Sequence, residues 1–404
     1  MRVSTVMMFE RSVSSMNRQQ SAFMEVGEQI ASGKRVVRPS DDPQAASRAV
    51  GVSQSLAANG QQSDSRITAR NSLSQEESIL DSVSDSLTRA KELLVQAGNG
   101  TLSDADRQSM ATEMRGVYEA LLGQANSTDG NGSYLFGGYQ DGAEPFVKDV
   151  SGAVQYAGSD QVREQKVDSS RLMEVGNTGR DVFQTVAAGS GYLARADSGN
   201  SGSLTFTGPK VTDTTADGYG DDYAISFSDN GDGTFEYTIS GGPNGDTSGT
   251  YDGTSTTLEF GGVRLTMEGA PEGGDSLSVR PARNMSPDVF TTFENMLSAL
   301  ENPLDSDADK AAFANTLSTS SREMDNALDN VLTVRASVGA RLNELDTLDA
   351  VGSDRAISYT QTQSDLIDLD YTTAISDYVL RQVGLQASQK AFVDLQGTSL
   401  FDLM

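Results

Sequence analysis

The sequence contains no cysteine, no histidine and no tryptophan among its 404 residues. Without histidine or cysteine, the chain cannot build a Ser-His-Asp triad, a cysteine nucleophile or a zinc site of the usual ligand set. The lack of cysteine also excludes a disulfide framework, so cysteine usage does not indicate a compartment. We therefore expect no catalytic residues, no metal site and no cofactor, and we predict that the protein is not an enzyme.

Basic residues are also scarce, since 30 lysines and arginines stand against 57 aspartates and glutamates and leave a formal charge of −27. A chain of this charge lacks a domain-wide basic surface for phosphates, which argues against a nucleic-acid partner. No run of 18 uninterrupted apolar residues occurs, so we expect no membrane partner. Glu10 and Arg11 interrupt the short apolar run near the N-terminus, which predicts that no secretory signal is cleaved.

The segment from about Thr5 to Ser32 shows the heptad pattern of one helix face, with intervals of four and three residues. A single narrow stripe of this kind needs a partner helix to bury it. The stripe consists of Phe9, Val13, Met16, Gln20, Phe23, Gly27 and Ile30.

A compact hinge, ASGKRVVRPSDDPQAA, follows between Ala31 and Ala46. A left-handed glycine would close the first helix, and the basic residues after it suit the negative end of the helix dipole. An aspartate N-cap and a proline at the first helical position would begin the next helix. Taken alone, the pattern also fits an ordinary helix–loop–helix joint. The predicted hinge residues are Gly33, Lys34, Arg35, Arg38, Pro39, Asp41, Asp42 and Pro43.

A second, much longer helix is predicted from Pro43 to about residue 97, because leucines recur every seven residues without an intervening proline. Ser103 and Asp106 form a capping pair for a third helix that ends near Asn126. Glycine-rich turns and alternating runs then predict β-hairpins and a separate β-rich unit. The SDNGDGT turn is predicted to close a hairpin rather than bind calcium, because Ser228 occupies the first ligand position.

Helices are expected to resume at Ser286-Pro287, and a long helical tract from about Asp307 is expected to loosen near Gly352-Ser353. Tyr371, Tyr378, Leu385 and Phe392 then recur every seven residues in a terminal helix. Only five charged residues occur between 371 and 404, which suits close packing in a polymer. We expect the termini to be loose in the monomer and to order on assembly.

The order of these elements predicts an α+β protein. Paired N- and C-terminal helices would form a long coiled-coil or bundle rod, with β-hairpins and an inserted β-rich outer domain. From Asp197 to Asp275 there are fourteen acidic and two basic residues, which indicates a strongly solvated surface. The predicted domains are a terminal helical domain of residues 1–42 and 352–404, a helical rod domain with hairpins of 43–194 and 281–351, and an acidic β-rich domain of 195–280.

Five segments of the chain have a distinctive sequence: MRVSTVMM, ASGKRVVRPSDDPQAA, GSYLFGG, GDSLSVRPA and QVGLQASQKAFVDLQGTSLF. Together they resemble the flagellin family, and more closely its members that join the bacterial flagellar hook to the filament. The resemblance covers roughly residues 1–190 and 280–404. In flagellins the hinge usually resembles LSSGLRINSAKDDAAG, whereas this chain has IASGKRVVRPSDDPQAA, which favours a junction protein and leaves flagellin itself as the alternative.

This resemblance implies a structural adaptor that forms a ring in a tubular homo-oligomer, with the terminal helices on the inner wall and the β-rich domain outside. It implies an extracellular place in the flagellum, reached by type III export without a cleaved signal peptide. The implied partners are hook-associated protein 1, flagellin, the filament cap protein during assembly and a flagellar type III export chaperone. The expected assembly residues are Phe9, Val13, Met16, Phe23, Ile30, Tyr371, Tyr378, Leu385, Phe392, Leu400 and Phe401.

The hinge charges are candidates for contacts between neighbouring subunits. Two further classes of function remain open: a glycan-acting enzyme with paired carboxylates in the β-rich unit, and an adhesive surface module. Acidic residues are numerous enough to pair by chance, and no tryptophan is present for an aromatic groove, so the structural role is favoured over the enzyme.

Overall fold

The structure is a computed structural model that describes residues 2–243, 245–285 and 288–401. Along the chain, helices precede and follow a central β-rich region, which confirms the predicted α+β class. The helices are α1 (Arg2–Ser32), α2 (Pro43–Ala97), α3 (Asp104–Ala125), α4 (Gly179–Phe183), α5 (Val289–Glu301), α6 (Asp307–Ile367) and α7 (Tyr371–Phe401).

Short and medium strands occupy the region between α3 and α5. They are β1 (Phe146–Lys148), β2 (Val154–Tyr156), β3 (Glu164–Asp168), β4 (Arg171–Glu174), β5 (Tyr192–Ala196), β6 (Thr205–Val211), β7 (Tyr223–Asp229), β8 (Phe235–Ser240), β9 (Thr247–Tyr251), β10 (Ser255–Phe260), β11 (Val263–Glu268) and β12 (Ser276–Pro281).

The chain divides into two compact units. The terminal unit comprises residues 1–65 and 347–404, and the central unit comprises residues 66–346. The three-part domain division drawn from the sequence stays a prediction.

The long second helix is continuous, as its leucine repeat predicts. Leu73, Leu80 and Leu87 are buried, so the repeat marks the face that packs against the rest of the central unit. The third helix begins with a complete capping box, in which Ser103 and Asp106 satisfy each other's backbone N–H groups.

One expectation about the returning helices is wrong. α6 does not loosen near Gly352-Ser353 but continues to Ile367, and the Asn59 side chain donates a hydrogen bond of 2.9 Å to the Gly352 carbonyl within the terminal unit. α5 begins at Val289, where the Asp288 carboxylate accepts the Phe290 N–H and acts as the N-cap. The predicted helix start at Ser286-Pro287 lies outside the described residues.

The β-rich region consists of two antiparallel sheets that share one core. The larger has the strand order β5-β12-β7-β8-β9, and the smaller has the order β10-β11-β6. Tyr223, Ile225 and Phe227 from the first sheet pack with Leu265 and Met267 from the second. β5 begins at Tyr192, before the predicted start of the β-rich domain at residue 195.

Phe136 of the GSYLFGG segment is fully buried and belongs to an aromatic cluster. The centroid of this ring lies 5.4 Å from that of Phe183, whose own ring lies 5.3 Å from Phe146. Gly138 has a φ of +62°, and a Cβ there would lie 2.6 Å from the Ser159 carbonyl. The glycine pair therefore serves packing inside the central unit.

Two smaller hairpins precede the sandwich. β1 pairs with β2, and β3 pairs with β4, both antiparallel, as the alternating runs predict.

None of the helices in the described ranges is both long and apolar enough to cross a bilayer.

Candidate assembly interface at the paired termini and hinges

The first and last helices pair in an antiparallel arrangement. The ring centroids of Phe9 and Phe392 lie 5.2 Å apart, and those of Phe23 and Tyr378 lie 4.6 Å apart. A residue early in α1 thus contacts one late in α7, and a later residue of α1 contacts an earlier one of α7, so the two helices run in opposite directions. The two heptad stripes identified in the sequence are therefore brought together within one chain.

Small residues allow the two helices to approach closely. A Cβ added to Gly27 would lie 3.8 Å from the Tyr378 ring, and one added to Gly384 would lie 3.0 Å from the Gln19 side-chain oxygen. Gly27 belongs to the predicted stripe, and its lack of a side chain makes room for the tyrosine. The seam is therefore narrow and mixes aromatic, small and polar contacts.

The predicted assembly residues differ in how much of each side chain remains exposed to solvent after α1 and α7 pair. Val13, Met16, Phe23 and Ile30 of α1 are partly buried, as are Tyr378, Leu385 and Phe392 of α7. Phe9 remains 47% exposed and Tyr371 remains 51% exposed. The side chains of Leu400 and Phe401 lie outside the described residues.

A second apolar face of α7 is uncovered in this chain, and the seven-residue repeat does not reveal it. Its members are between 50% and 69% exposed. With 100° of rotation about the helix axis per residue, these side chains span a sector of about 140°. The residues that face α1, such as Tyr378 and Phe392, lie outside this sector. The signal in the sequence is the presence of apolar residues on more than one side of α7. The face, called here the outer α7 face, consists of Ile375, Val379, Leu380, Val383 and Val393.

The hinge stops α1 in the predicted way. Gly33 adopts a φ of +69°, and a Cβ there would lie 3.0 Å from the Tyr371 hydroxyl. Pro39 occupies the second position of a turn in which the Asp41 N–H donates to the Arg38 carbonyl at 2.9 Å. The glycine therefore sets both the end of α1 and its contact with the start of α7.

The start of α2 also follows the prediction. The Asp42 carboxylate accepts the Ala45 N–H at 3.0 Å, and Pro43 is the first helical residue. The Ala45 N–H and, after it, the Arg35 guanidinium lower the pKa of Asp42. The cap is therefore ionised and functional under neutral conditions.

The first hinge pairs with a second hinge, residues 368–370, which separates α6 from α7. The Arg35 N–H donates to the Ile367 carbonyl at 2.8 Å, and the Leu369 N–H donates to the Gly33 carbonyl at 3.1 Å. Lys34 and Asp368 form an antiparallel bridge between these bonds. The sequence pattern placed the break near residue 352 and therefore did not predict a second hinge at residues 368–370.

The hinge charges are used within the chain. The Arg35 guanidinium donates to the Leu366 carbonyl at 2.6 Å and forms an ion pair of 3.3 Å with Asp42. Arg38 pairs with Glu28 at 2.9 Å, and Asp41 accepts the N–H groups of Val37 and Arg38. These groups brace the hinge in a single chain.

The described residues contain no cluster of three or more acidic side chains placed to hold a metal ion. In the SDNGDGT turn, Asp229 accepts the Gly231 N–H and Asp232 accepts both the N–H and the hydroxyl of Thr234. These carboxylates close the turn between β7 and β8, as the hairpin prediction requires.

Comparison with known proteins identifies similar flagellar proteins. Residues 3–141 match the family described as the bacterial flagellin N-terminal helical region. The chain is 36% identical over 404 residues to flagellar hook-associated protein 3 from Escherichia coli, which covers 100% of this chain and 99% of that protein. The flagellar filament 41 kDa core protein from Borreliella burgdorferi is 39% identical, but over 98 residues, which are 23% of this chain and 28% of that protein.

Solved structures give a consistent picture. Flagellar hook-associated protein 3 from Legionella pneumophila matches with a TM-score of 0.70 and 30% identity, over 78% of this chain and 98% of that one. A structure described as the flagellar junction protein FlgL from the same organism matches with a TM-score of 0.66 and 29% identity, over 80% of this chain and all of that one.

Proposed function

Because the chain belongs to the family of flagellar hook-associated protein 3, we propose that it is a structural adaptor at the junction of the flagellar hook and filament. In this role it polymerises through α1 and α7. The similarity to the E. coli protein extends over the whole chain, whereas similarity to the filament core protein covers less than a quarter of it. The junction role is therefore better supported than that of a filament subunit.

The outer α7 face is the observation that carries this proposal. Its five apolar side chains lie in one sector of a helix whose other side already packs against α1, and Gln386, Lys390 and Asp394 share that sector. Exposed apolar surface of this extent marks an interaction site, because leaving it in water is unfavourable. A neighbouring copy of the same helix pair would bury it.

The paired hinges support the same role. A polymer subunit under mechanical load needs a defined angle between its terminal helices and the helices that continue from them. Three backbone contacts and Arg35 join the two hinges at their closest point. The hinge residues therefore fix the direction in which α1 and α7 leave α2 and α6.

The proposed partners follow from the position of a junction ring. One side meets hook-associated protein 1, and the other meets flagellin, with the filament cap protein present during assembly. A type III export chaperone would hold the apolar stripe of α7 before export. The protein then resides outside the cell in the flagellum, and it is exported without a cleaved signal peptide.

Labelling of purified hook–filament complexes tests the assignment to the junction. An epitope tag in the exposed β1–β2 turn near Val150 should be detected as a single band at the hook end. Labelling along the entire filament would instead identify a flagellin.

A variant pair tests the outer α7 face. Val383→Asp places a charge in the centre of the apolar sector, so it should prevent stable incorporation and motility while leaving the amount of exported protein unchanged. Val383→Ile keeps the apolar character and should assemble normally. Normal swimming of the aspartate variant would contradict the assignment of this face.

A further inference from the structure

Glu76 is a buried carboxyl group in the middle of α2, within the central unit. Its side chain is 2% exposed, and among the described residues neither of its oxygens accepts a hydrogen bond. A Cβ added to Gly176 would lie 3.6 Å from a Glu76 side-chain oxygen and 3.9 Å from the Leu135 carbonyl oxygen. The carboxyl group is therefore enclosed by α2, the GSYLFGG turn and the segment after β4.

A second buried acceptor without a donor belongs to the residue that follows Gly176. The side-chain oxygen of Asn177 is also buried and without a donor in the described part of the chain. A carboxylate adds two further acceptors, whereas a carboxylic acid supplies a donor. An uncharged Glu76 therefore fits this site better than an ionised one.

Charged groups face Glu76 from each packed element, and each has a partner of its own. From α6, Arg341 approaches Glu76 but donates to the Gly176 carbonyl at 3.1 Å and pairs with Glu174 at 3.3 Å. The same guanidinium also reaches the Ser337 hydroxyl at 3.1 Å. Arg341 thus holds the end of β4 and the segment after it against α6.

The other charged neighbours are likewise paired. Arg163, which precedes β3, forms an ion pair of 2.7 Å with Asp141. Glu77, beside Glu76 on α2, pairs with Arg335 at 2.9 Å, and Arg335 also pairs with Asp81. None of these contacts neutralises Glu76 directly.

Burial raises the pKa of Glu76 to about 7. Arg341 and the Asn177 N–H act in the opposite direction, Glu77 adds to the increase, and Arg163 makes a smaller opposing contribution. Burial prevails because the carboxylate loses its hydration and the Asn177 N–H and Arg341 replace that hydration only in part.

We propose that Glu76 is a proton-controlled latch for residues 174–177. When Glu76 is protonated, Arg341 stays on the Gly176 carbonyl and on Glu174, and the segment is held in place. When Glu76 releases its proton to solvent, the buried carboxylate attracts Arg341 away from the backbone carbonyl. The segment then loosens from α2 and α6.

Hydrogen exchange followed by mass spectrometry on the full-length protein tests this latch. Exchange rates at pH 6 and pH 8 are divided by those of an unstructured reference peptide, which removes the intrinsic dependence on pH. Protection of peptides covering residues 172–179 should fall about tenfold between these pH values, since each pH unit above the pKa changes the protonated ratio tenfold. Glu76→Gln should keep its protection at both pH values.

Glu92→Gln is the matched control, because it makes the same chemical change on the same helix at an exposed position. It should show the pH dependence of the wild type. A pH-independent wild type, or a fall in protection that persists in Glu76→Gln, would overturn the proposal.

Infrared spectroscopy of the wild type gives an answer even if the glutamine variant fails to fold. The carbonyl stretch of a protonated carboxylic acid should be present at pH 6 and lost by pH 8. If no such band titrates in this range, Glu76 is not the proton-binding group that the latch requires.

Discussion

The guanidinium of Arg35 donates a hydrogen bond of 2.6 Å to the main-chain carbonyl of Leu366, 331 residues further along the chain. Leu366 lies in the last turn of α6, where carbonyl groups lack partners within the helix. A side chain in the first hinge thus caps the helix that leads into the second. This side-chain contact adds to the backbone hydrogen bonds that join the two hinges.

Removal of this contact should loosen the second hinge. In Arg35→Ala the Leu366 carbonyl loses its donor and Asp42 loses its ion-pair partner, so we expect a loss of about 1 kcal/mol in the stability of the terminal unit. Amide exchange at residues 366–370 should accelerate correspondingly. Arg38→Ala serves as the control, because Arg38 pairs with Glu28 and should leave those amides unchanged.

The aromatic contact between Phe23 and Tyr378 should contribute to pairing of the terminal helices. A double-mutant cycle with Phe23→Leu and Tyr378→Leu should give a coupling energy of about 0.5–1.5 kcal/mol, because the two rings are in contact, with centroids 4.6 Å apart and planes tilted by 32°. Thermal unfolding followed by circular dichroism provides the measurement, since the chain lacks tryptophan. Additive effects would show that the rings do not interact in solution.

Gly138 should tolerate no side chain. Its φ of +62° is unfavourable for L-residues, and a Cβ would overlap the backbone carbonyls of Ser159 and Gln161. We expect Gly138→Ala to destabilise the central unit by about 2 kcal/mol or more. Gly142→Ala lies in the same turn region with open space around it and should change stability by less than about 0.5 kcal/mol in urea unfolding.

Glu76 should make the stability of the central unit depend on pH. The unfolded chain releases this proton near pH 4.5, whereas the folded chain keeps it until about pH 7. Stability is therefore lost progressively between these two values and stays low above them. Relative to the wild type, Glu76→Gln should be more stable by up to about 3 kcal/mol at pH 8.

The same comparison at pH 4.5 should show little difference, because Glu76 is then protonated in the folded state and half protonated in the unfolded state. Urea unfolding at the two pH values measures both quantities. An equal gain in stability at pH 4.5 and pH 8 would indicate better packing of glutamine rather than a titrating group.

Helices with a simple repeat were predictable from the sequence because one periodic pattern determines each buried face. The stripes of α1 and α7 and the leucines of α2 belong to this class. The caps at Ser103 and Asp42 were also predictable, since they depend on residues three positions away. The break between α6 and α7 was not, because glycine at 352 indicates a break only where no neighbouring segment supports the helix.

The sequence by itself therefore determined the α+β class, the helical termini and the turn chemistry of the first hinge, because these depend on local spacing. Only the tertiary structure decided which segments meet outside the paired terminal helices. It showed that the hinge around Gly33 pairs with residues 368–370, that α7 keeps an apolar face uncovered, and that Glu76 is buried in the central unit. The hinge contacts join residues hundreds of positions apart. The burial of a single group depends on every segment that packs around it. No local sequence pattern encodes either property.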